Sequence, residues 1–236
     1  MSAMERLIAQ GLSELGLDPG KAPVLAEYGR LLIEKNQVMN LTAITQPEQV
    51  AKLHMLDCAA LLGCAQLNGK SLIDVGAGAG FPGLVLKILE PTLELTVLDS
   101  LEKRLDWLAE VCTALGLDGV RFVHARAEEQ AHKDGFRESF HFATARAVAA
   151  MDVLSELCLP YVKVGGQLLA MKSVDSAAEV DRAAPGIAKL GGRLEKRYDY
   201  LIPGTHVYHR VILVTKISPT AGQYPRRWAK IQKSPL

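Results

Sequence analysis

Three acidic side chains, each closing or following an apolar run, and one cluster of glycines carry most of the chemistry that this chain offers. The first acid lies in Leu72-Ile73-Asp74-Val75-Gly76-Ala77-Gly78-Ala79-Gly80-Phe81-Pro82-Gly83, where four glycines fall within the eight residues 76–83. Glycine at that density lets a ligand or another backbone come close. Asp99 closes Leu95-Thr96-Val97-Leu98, and Glu128 follows Val123-His124-Ala125-Arg126-Ala127. Three ligands could use such a turn: a nucleoside triphosphate, a nicotinamide dinucleotide or S-adenosylmethionine. A triphosphate loop needs G-x-x-x-x-G-K-[ST], and no Lys-Ser or Lys-Thr follows these glycines. Gly78–Gly83 does satisfy G-x-G-x-x-G, the dinucleotide pattern. Two features oppose a pyrophosphate: the charge of Asp74, and Pro82, which removes a backbone N–H donor. S-adenosylmethionine has no phosphate. Its ammonium suits Asp74 and its carboxylate suits the free amides at Gly76, Gly78 and Gly80. Asp99 can accept the ribose hydroxyls, and Glu128 or the backbone beside it can read the adenine amino edge. Acids at three successive strand ends favour S-adenosylmethionine over the dinucleotide. Asp99 or Ser100 could equally cap the helix that starts at Leu101, a role compatible with ribose binding.

These groups need an alternating α/β frame to bring them together. Strand patterns occur at 71–75, 94–98, 120–123, 140–145, 166–172, 194–201 and 208–216, with helices at about 83–90, 101–116, 150–159 and 175–190. That order predicts a Rossmann-like, seven-stranded, mostly parallel sheet with helices on both faces, whose last two strands form an antiparallel hairpin. Ligands in such sheets bind beyond the carboxyl ends of the strands, where the glycine turn lies. Residues 1–68 are helical in pattern and predict a small cap: Val24, Leu25, Tyr28, Leu31, Leu32 and Lys35 share one face, and a second helix runs from about Pro47 to Leu62. The main domain covers 69–217. Residues 218–236 form a tail that, from Lys216 on, carries five basic residues and no acid. With Trp228 and Tyr224 interleaved, Arg226, Arg227 and Lys230 could contact phosphates and bases, or form a solvated basic end.

The bulk composition is that of a globular protein: 236 residues, 49% hydrophobic, 22% charged, net charge +1. No secretion signal and no apolar run of membrane-spanning length is visible, and the four cysteines show no metal-ligand spacing. A reduced, cytoplasmic, monomeric protein is expected.

The motifs together resemble the bacterial 16S rRNA (guanine-N7) methyltransferases, also called the glucose-inhibited division protein B family. The resemblance spans nearly the whole chain. It includes Asn40-Leu41-Thr42, His54-Met55-Leu56-Asp57, the turn from Asp74 to Gly83, Leu98-Asp99-Ser100 with Lys103-Arg104, Ala145-Arg146-Ala147, Tyr224-Pro225-Arg226-Arg227 and Lys233-Ser234-Pro235-Leu236. It implies a class I S-adenosylmethionine-dependent methyltransferase fold, methylation of a guanine N7 in the decoding-region loop of 16S rRNA, and either the RNA or the 30S subunit as partner. By motif position it implies cofactor contacts at Gly76, Phe81, Ala127, Glu128 and Arg146, with Asp99 near the ribose; Ser100 beside it is a further cofactor-binding candidate. One departure is plain: the family usually has an acid where this chain has His141, in Phe140-His141-Phe142. Two other readings stay open, a methyltransferase for a small molecule or protein, and a dinucleotide oxidoreductase.

Guanine N7 bears an in-plane lone pair and no proton, so its methylation needs alignment and no general base. The loop after the fourth strand, Ala143-Thr144-Ala145-Arg146-Ala147-Val148, lacks the [DNS]-P-P-[YFW] motif of amino methylation and the cysteine of pyrimidine carbon methylation. Arg146 is expected to contact the cofactor carboxylate or an RNA phosphate, or else to pair with Asp74 or Asp152. Lys172 and Arg210 would face the cleft or its rim as positioning or phosphate contacts. His54 and Asp57, one helical turn apart, could bridge the cap to the main domain, with no third ligand to suggest a metal. Asn40 is read as a turn residue, Cys158 as core, and His206 and His209 as surface histidines.

Overall fold

A computed structural model describes residues 1–236. The apolar runs become strands β1 (Ser71–Val75), β2 (Glu94–Asp99), β3 (Val120–His124), β4 (Phe140–Arg146), β5 (Val162–Ser173), β6 (Gly192–Leu201) and β7 (Tyr208–Lys216). They form one sheet in the order β3-β2-β1-β4-β5-β7-β6, parallel from β3 to β5, with β7 antiparallel to both neighbours. The chain reverses its direction of winding at β1, which lies between β2 and β4. The carboxyl ends of β1 and β4 therefore open a crevice there. Because β7 is antiparallel, its first residues lie beside the end of β5, with Ser173 opposite His209 and Lys172 opposite Arg210.

Strand β5 starts earlier than the pattern predicts. Phe140 pairs with Val162 but Phe142 pairs with Gln167, so β5 carries a bulge over its glycines. A side chain at Gly166 would place its Cβ 2.4 Å from the His141 carbonyl oxygen, which explains the glycine. His141 itself lies at the amino-terminal end of β4, far along the strand from the crevice. Its Nδ1 accepts hydrogen bonds from the Ser71 amide (3.1 Å) and hydroxyl (2.8 Å), tying β4 to β1. An imidazole can make this contact in place of an acid.

Helices α1 (Ala3–Glu14), α2 (Ala22–Met39), α3 (Pro47–Val50), α4 (Asp57–Ala59), α5 (Gly83–Leu89) and α6 (Glu102–Leu115) cover one face of the sheet. Leu12, Leu25, Tyr28, Leu32 and Met55 belong to the same apolar cluster as Leu84, Leu108 and Leu169, so the N-terminal helices have no core of their own. Each of the fully buried leucines among them contributes about 1.5–3 kcal/mol by burial alone. Between α3 and α4 the helix widens to π pitch over Ala51–Leu56. Such a widening changes which face the following side chains present, and it occurs often at functional sites. At the end of α2, Asn40 adopts a left-handed conformation (φ 48°), the turn role expected of it.

Helices α7 (Ala127–Gln130), α8 (Met151–Cys158), α9 (Ala177–Lys189) and α10 (Trp228–Lys233) cover the other face. The basic C-terminal segment packs here and is not a free tail. Ile231 is fully buried, Trp228 is half-buried against this core, and Leu236 lies against Gly186. Arg226 grips the buried Glu156 with its Nε (2.8 Å) and Nη2 (2.5 Å), and Arg137 donates to the carbonyls of Tyr224 and Thr220. Arg226 and Trp228, expected as RNA contacts, are thus spent on the fold. Arg227, Lys230 and Lys233 remain exposed. Replacing Arg226 with Ala leaves Glu156 buried without its cation and is expected to cost about 3–5 kcal/mol of unfolding free energy in a urea titration. A loss below about 1 kcal/mol would show that the segment contributes little to the fold.

Candidate active site

The glycine turn is built from the strand end outward. The amides of Gly76 and Ala77 donate to the Leu98 carbonyl (2.8 and 3.2 Å), and the amide of Gly78 donates to Asp99 Oδ2 (2.9 Å). Tyr28 of α2 donates its hydroxyl to the Ala79 carbonyl. Gly80 has φ 85°, and a Cβ there would fall 2.5 Å from the Tyr28 oxygen, so glycine is required twice over. The amides expected to be free at Gly76, Gly78 and Gly80 are therefore all taken, the last by the Ala77 carbonyl (2.8 Å), whereas the Ala79 amide donates to no group of the protein and Ala79 lines the cavity.

Asp74 was expected to face the ligand. It is instead fully buried beneath the turn, where Oδ2 accepts the Gly83 amide at 2.8 Å and Oδ1 has no partner. Burial pushes its carboxyl up to about 7. A Cβ at Gly83 would sit 2.7 Å from that carboxylate, so the glycine allows the acid to hold the start of α5. Asp99 also does structural work: Oδ1 accepts the Leu101 amide at 2.9 Å, Oδ2 holds Gly78, and Arg104 lies at 3.5 Å. Each carboxylate oxygen still has a lone pair to offer. Ser100 is exposed, and its carbonyl oxygen lies 3.1 Å from His124 Nε2. Ala127 and Glu128 begin α7, with the Ala127 carbonyl accepting Tyr161 Oη at 2.6 Å. Asp99, Ser100, Ala127 and Glu128 stand at the strand ends but outside the lining of the cavity.

The cavity itself encloses about 740 Å³, within the range of cofactor pockets. Gly76–Ala79 and Phe81 line it together with Thr42, His54, Asp57, Arg146, Lys172 and His209. A connected polar network runs across it. Asp57, 1% exposed, accepts from Tyr200 Oη (2.6 Å), His209 Nδ1 (2.8 Å) and Arg146 Nη1 (3.2 Å). Arg146 also donates to the Leu53 carbonyl (3.0 Å) and to His54 Nδ1 (2.9 Å). The His54 ring stacks on Phe81 with centroids 4.6 Å apart, and the Arg146 guanidinium lies 4.8 Å from the same ring.

Several expectations change here. The partner of Arg146 is Asp57, not Asp74 or Asp152, because the widened helix brings Asp57 over the end of β4. His209, expected at the surface, is half-buried with its ring facing Asp57, while His206 is exposed as expected. Lys172 lines the cavity, but its ammonium is held by Glu179 and the Ala149 carbonyl, both at 2.6 Å. Arg210 is engaged by Asp199 at 2.5 and 2.7 Å and by the Val174 carbonyl, so it is no free phosphate clamp. Tyr200 and Thr42 were missed. The signal for His209 and Tyr200 lay in the final hairpin: an antiparallel last strand must start at the same edge where the parallel strands end.

The charges in this network are set by their surroundings. Burial, reinforced by Arg146, pushes His54 down to about 4, so it is neutral near pH 7. The hydrogen bond to Asp57 raises His209 above the usual imidazole range. The unfolded chain protonates His54 near pH 6.5, whereas the folded chain resists until about pH 4, so folding excludes a proton in this window. His54 therefore contributes stability that is lost as pH drops from 6.5 toward 4. His54→Gln is expected to flatten that slope in pH-dependent urea titrations; identical slopes for both proteins would refute the assignment.

The chain is similar to known proteins in family, in sequence and in fold. Residues 21–197 match the model of the GidB family, described as rRNA small subunit methyltransferase G. Ribosomal RNA small subunit methyltransferase G of Alkaliphilus metalliredigens is 40% identical over 233 residues, covering 98% of both chains. The protein of that name from an Exiguobacterium species is 44% identical over 236 residues, covering 99% of this chain and 97% of its own. Among solved structures, TrmN from Thermus thermophilus aligns with a TM-score of 0.52 and 26% identity, over 68% of this chain and 48% of that one. TYW2 from M. jannaschii, solved in complex with AdoMet, aligns with a TM-score of 0.54 at 13% identity, over 70% and 76% of the two chains, a likeness of fold.

Proposed function

The chain belongs to the rRNA small subunit methyltransferase G family, and from that premise we propose that it transfers the methyl group of S-adenosylmethionine to N7 of a guanine in the decoding-region loop of bacterial 16S rRNA, in the cytoplasm. The observation that carries this reading is the cavity that joins the glycine turn to the polar network centred on Asp57. Bound there, S-adenosylmethionine supplies an electrophilic methyl carbon on a sulfonium.

The fit rests on the turn. The unpaired Ala79 amide and the exposed edge of Gly76 and Gly78 offer a donor and carbonyls for the amino-acid end of the cofactor. Asp99 keeps lone pairs for ribose hydroxyls, and the first amides of α7 at Ala127 and Glu128 are free for the adenine edge. Phe81 and Arg146 close the inner wall.

The remaining residues suit a reaction without proton abstraction. Both nitrogens of His54 are engaged, and every acceptor contact of Asp57 is to a group of the network. The side chains therefore position and exclude water, and the nucleophile's own lone pair does the rest. Methylated guanine is a cation, which a bare arginine would repel. Asp57 offsets the Arg146 charge, so the site tolerates the product. A guanine in folded RNA must be splayed from its neighbours to enter. The exposed Arg227 and Lys230 supply phosphate contacts farther out.

Isothermal titration is expected to show binding of S-adenosylmethionine or its demethylated product and none of NAD; the opposite result would refute the cofactor. Purified 30S subunits and naked 16S rRNA, assayed in parallel with nucleoside analysis, should yield N7-methylguanosine in at least one. Arg146→Ala removes the centre of the network and should abolish methyl transfer, while full activity would remove Arg146 from the mechanism.

A further inference from the structure

Proton bookkeeping in the polar network leaves the Thr42 hydroxyl as a donor without a partner. A guanidinium can only donate, so His54 Nδ1, 2.9 Å from Arg146 Nη2, is an acceptor and the ring proton sits on Nε2. Nε2 lies 2.8 Å from Thr42 Oγ1 and donates to it. The same oxygen accepts the Ile44 amide at 3.0 Å. A hydroxyl oxygen has two lone pairs, and both are now used. Its own proton has no acceptor anywhere in the protein, and Thr42 lines the cavity. The hydroxyl is therefore a donor that cannot turn into an acceptor.

Its position is fixed as firmly as its polarity. Asn36 Oδ1 accepts the amides of Leu41 (2.6 Å) and Thr42 (2.9 Å), and Asn36 Nδ2 donates to the Thr42 carbonyl (2.9 Å). Burial and the Arg146 charge keep His54 neutral, which preserves this direction of donation at neutral pH. A donor held in place before the ligand arrives costs no reorganisation when it is used.

The major-groove edge of guanine presents two acceptors, N7 and O6, whereas adenine presents the N7 acceptor beside an N6 amino donor. We propose that Thr42 is a specificity residue whose hydroxyl donates to O6 of the target guanine, selecting guanine over adenine while leaving N7 open to the methyl donor. This rests on the guanine-N7 reading above. An adenine in the same pose would set its amino group against the Thr42 proton, with no lone pair to receive it. Such donor–donor opposition discriminates more strongly than a lost contact, because both groups are left unpaired in the site.

The test uses small subunits reconstituted with 16S rRNA ligated from a synthetic segment that carries guanine, 2-aminopurine or adenine at the methylated position. 2-Aminopurine keeps N7 and replaces O6 with hydrogen. The full-length wild type, Thr42→Ser and Thr42→Val are compared by methyl incorporation and by titration with S-adenosylmethionine. On guanine, Thr42→Val is expected to lose roughly 10- to 100-fold in kcat/KM, and Thr42→Ser to stay near wild type. On 2-aminopurine the wild type should fall to the level of Thr42→Val, with no further loss in the variant. Equal losses for Thr42→Val on guanine and 2-aminopurine would overturn the proposal, because a structural role does not depend on O6. Wild-type activity on 2-aminopurine equal to that on guanine would overturn it even if the valine variant failed to fold. If wild type makes no N7-methylguanine on the natural base, the parent reading and this inference fall together; if it does, only the inference is at risk.

Discussion

One buried carboxylate organises the molecule around its cavity. Asp57 sits at the start of a short helix, yet it collects an arginine from the end of β4, a tyrosine from β6 and a histidine from β7. A charge so deeply removed from water persists only when its oxygens are paired. The requirement acts in both directions: the acid needs its three donors, and the donors fix where the four elements meet. The glycine turn, by contrast, is held from below by Asp74 and from the side by Asp99. The cavity lies where the Asp57 network and the turn meet, at the stack of His54 on Phe81.

The division between what the sequence discloses and what it conceals follows the range of the interactions. Strand β1 and strand β7 begin and end where their alternating apolar residues predict, because that signal is local. The turn after β1 is legible from its glycines, and Asp99 from its position at the next strand end. The hairpin topology brings Tyr200 and His209 to the crevice, but their pairing with Asp57 has no local signal: the residues stand 143 and 152 positions apart, and no periodicity links them. Asp74 misleads for a related reason. Its charge argues for a ligand at sequence level, but its strand points it under the turn, where a backbone amide is its partner. The basic C-terminal segment misleads similarly, since Glu156, the acid that claims Arg226, lies in the middle of an apolar helix.

The network also shows how ionisable groups crowded into a methyltransferase site can be directed at one another. Asp57 receives arginine, histidine and tyrosine, and both nitrogens of His54 are taken. Their joint effect is to fix proton positions. Thr42 stands at the end of that chain of donors, with a hydroxyl hydrogen that the chain has not used.

The placement of β7 between β5 and β6 has a consequence for how the protein acquires its shape. The chain must lay down β6 and then return inside it, so the edge of β5 stays unpaired until the final hairpin docks. Contacts of such long sequence separation form slowly. The wall that carries Tyr200 and His209 arrives with that hairpin, so the cavity is among the last parts of the molecule to exist. Partly folded chains therefore present an exposed strand edge rather than a half-built site, and their hazard is self-association, not premature capture of nucleic acid.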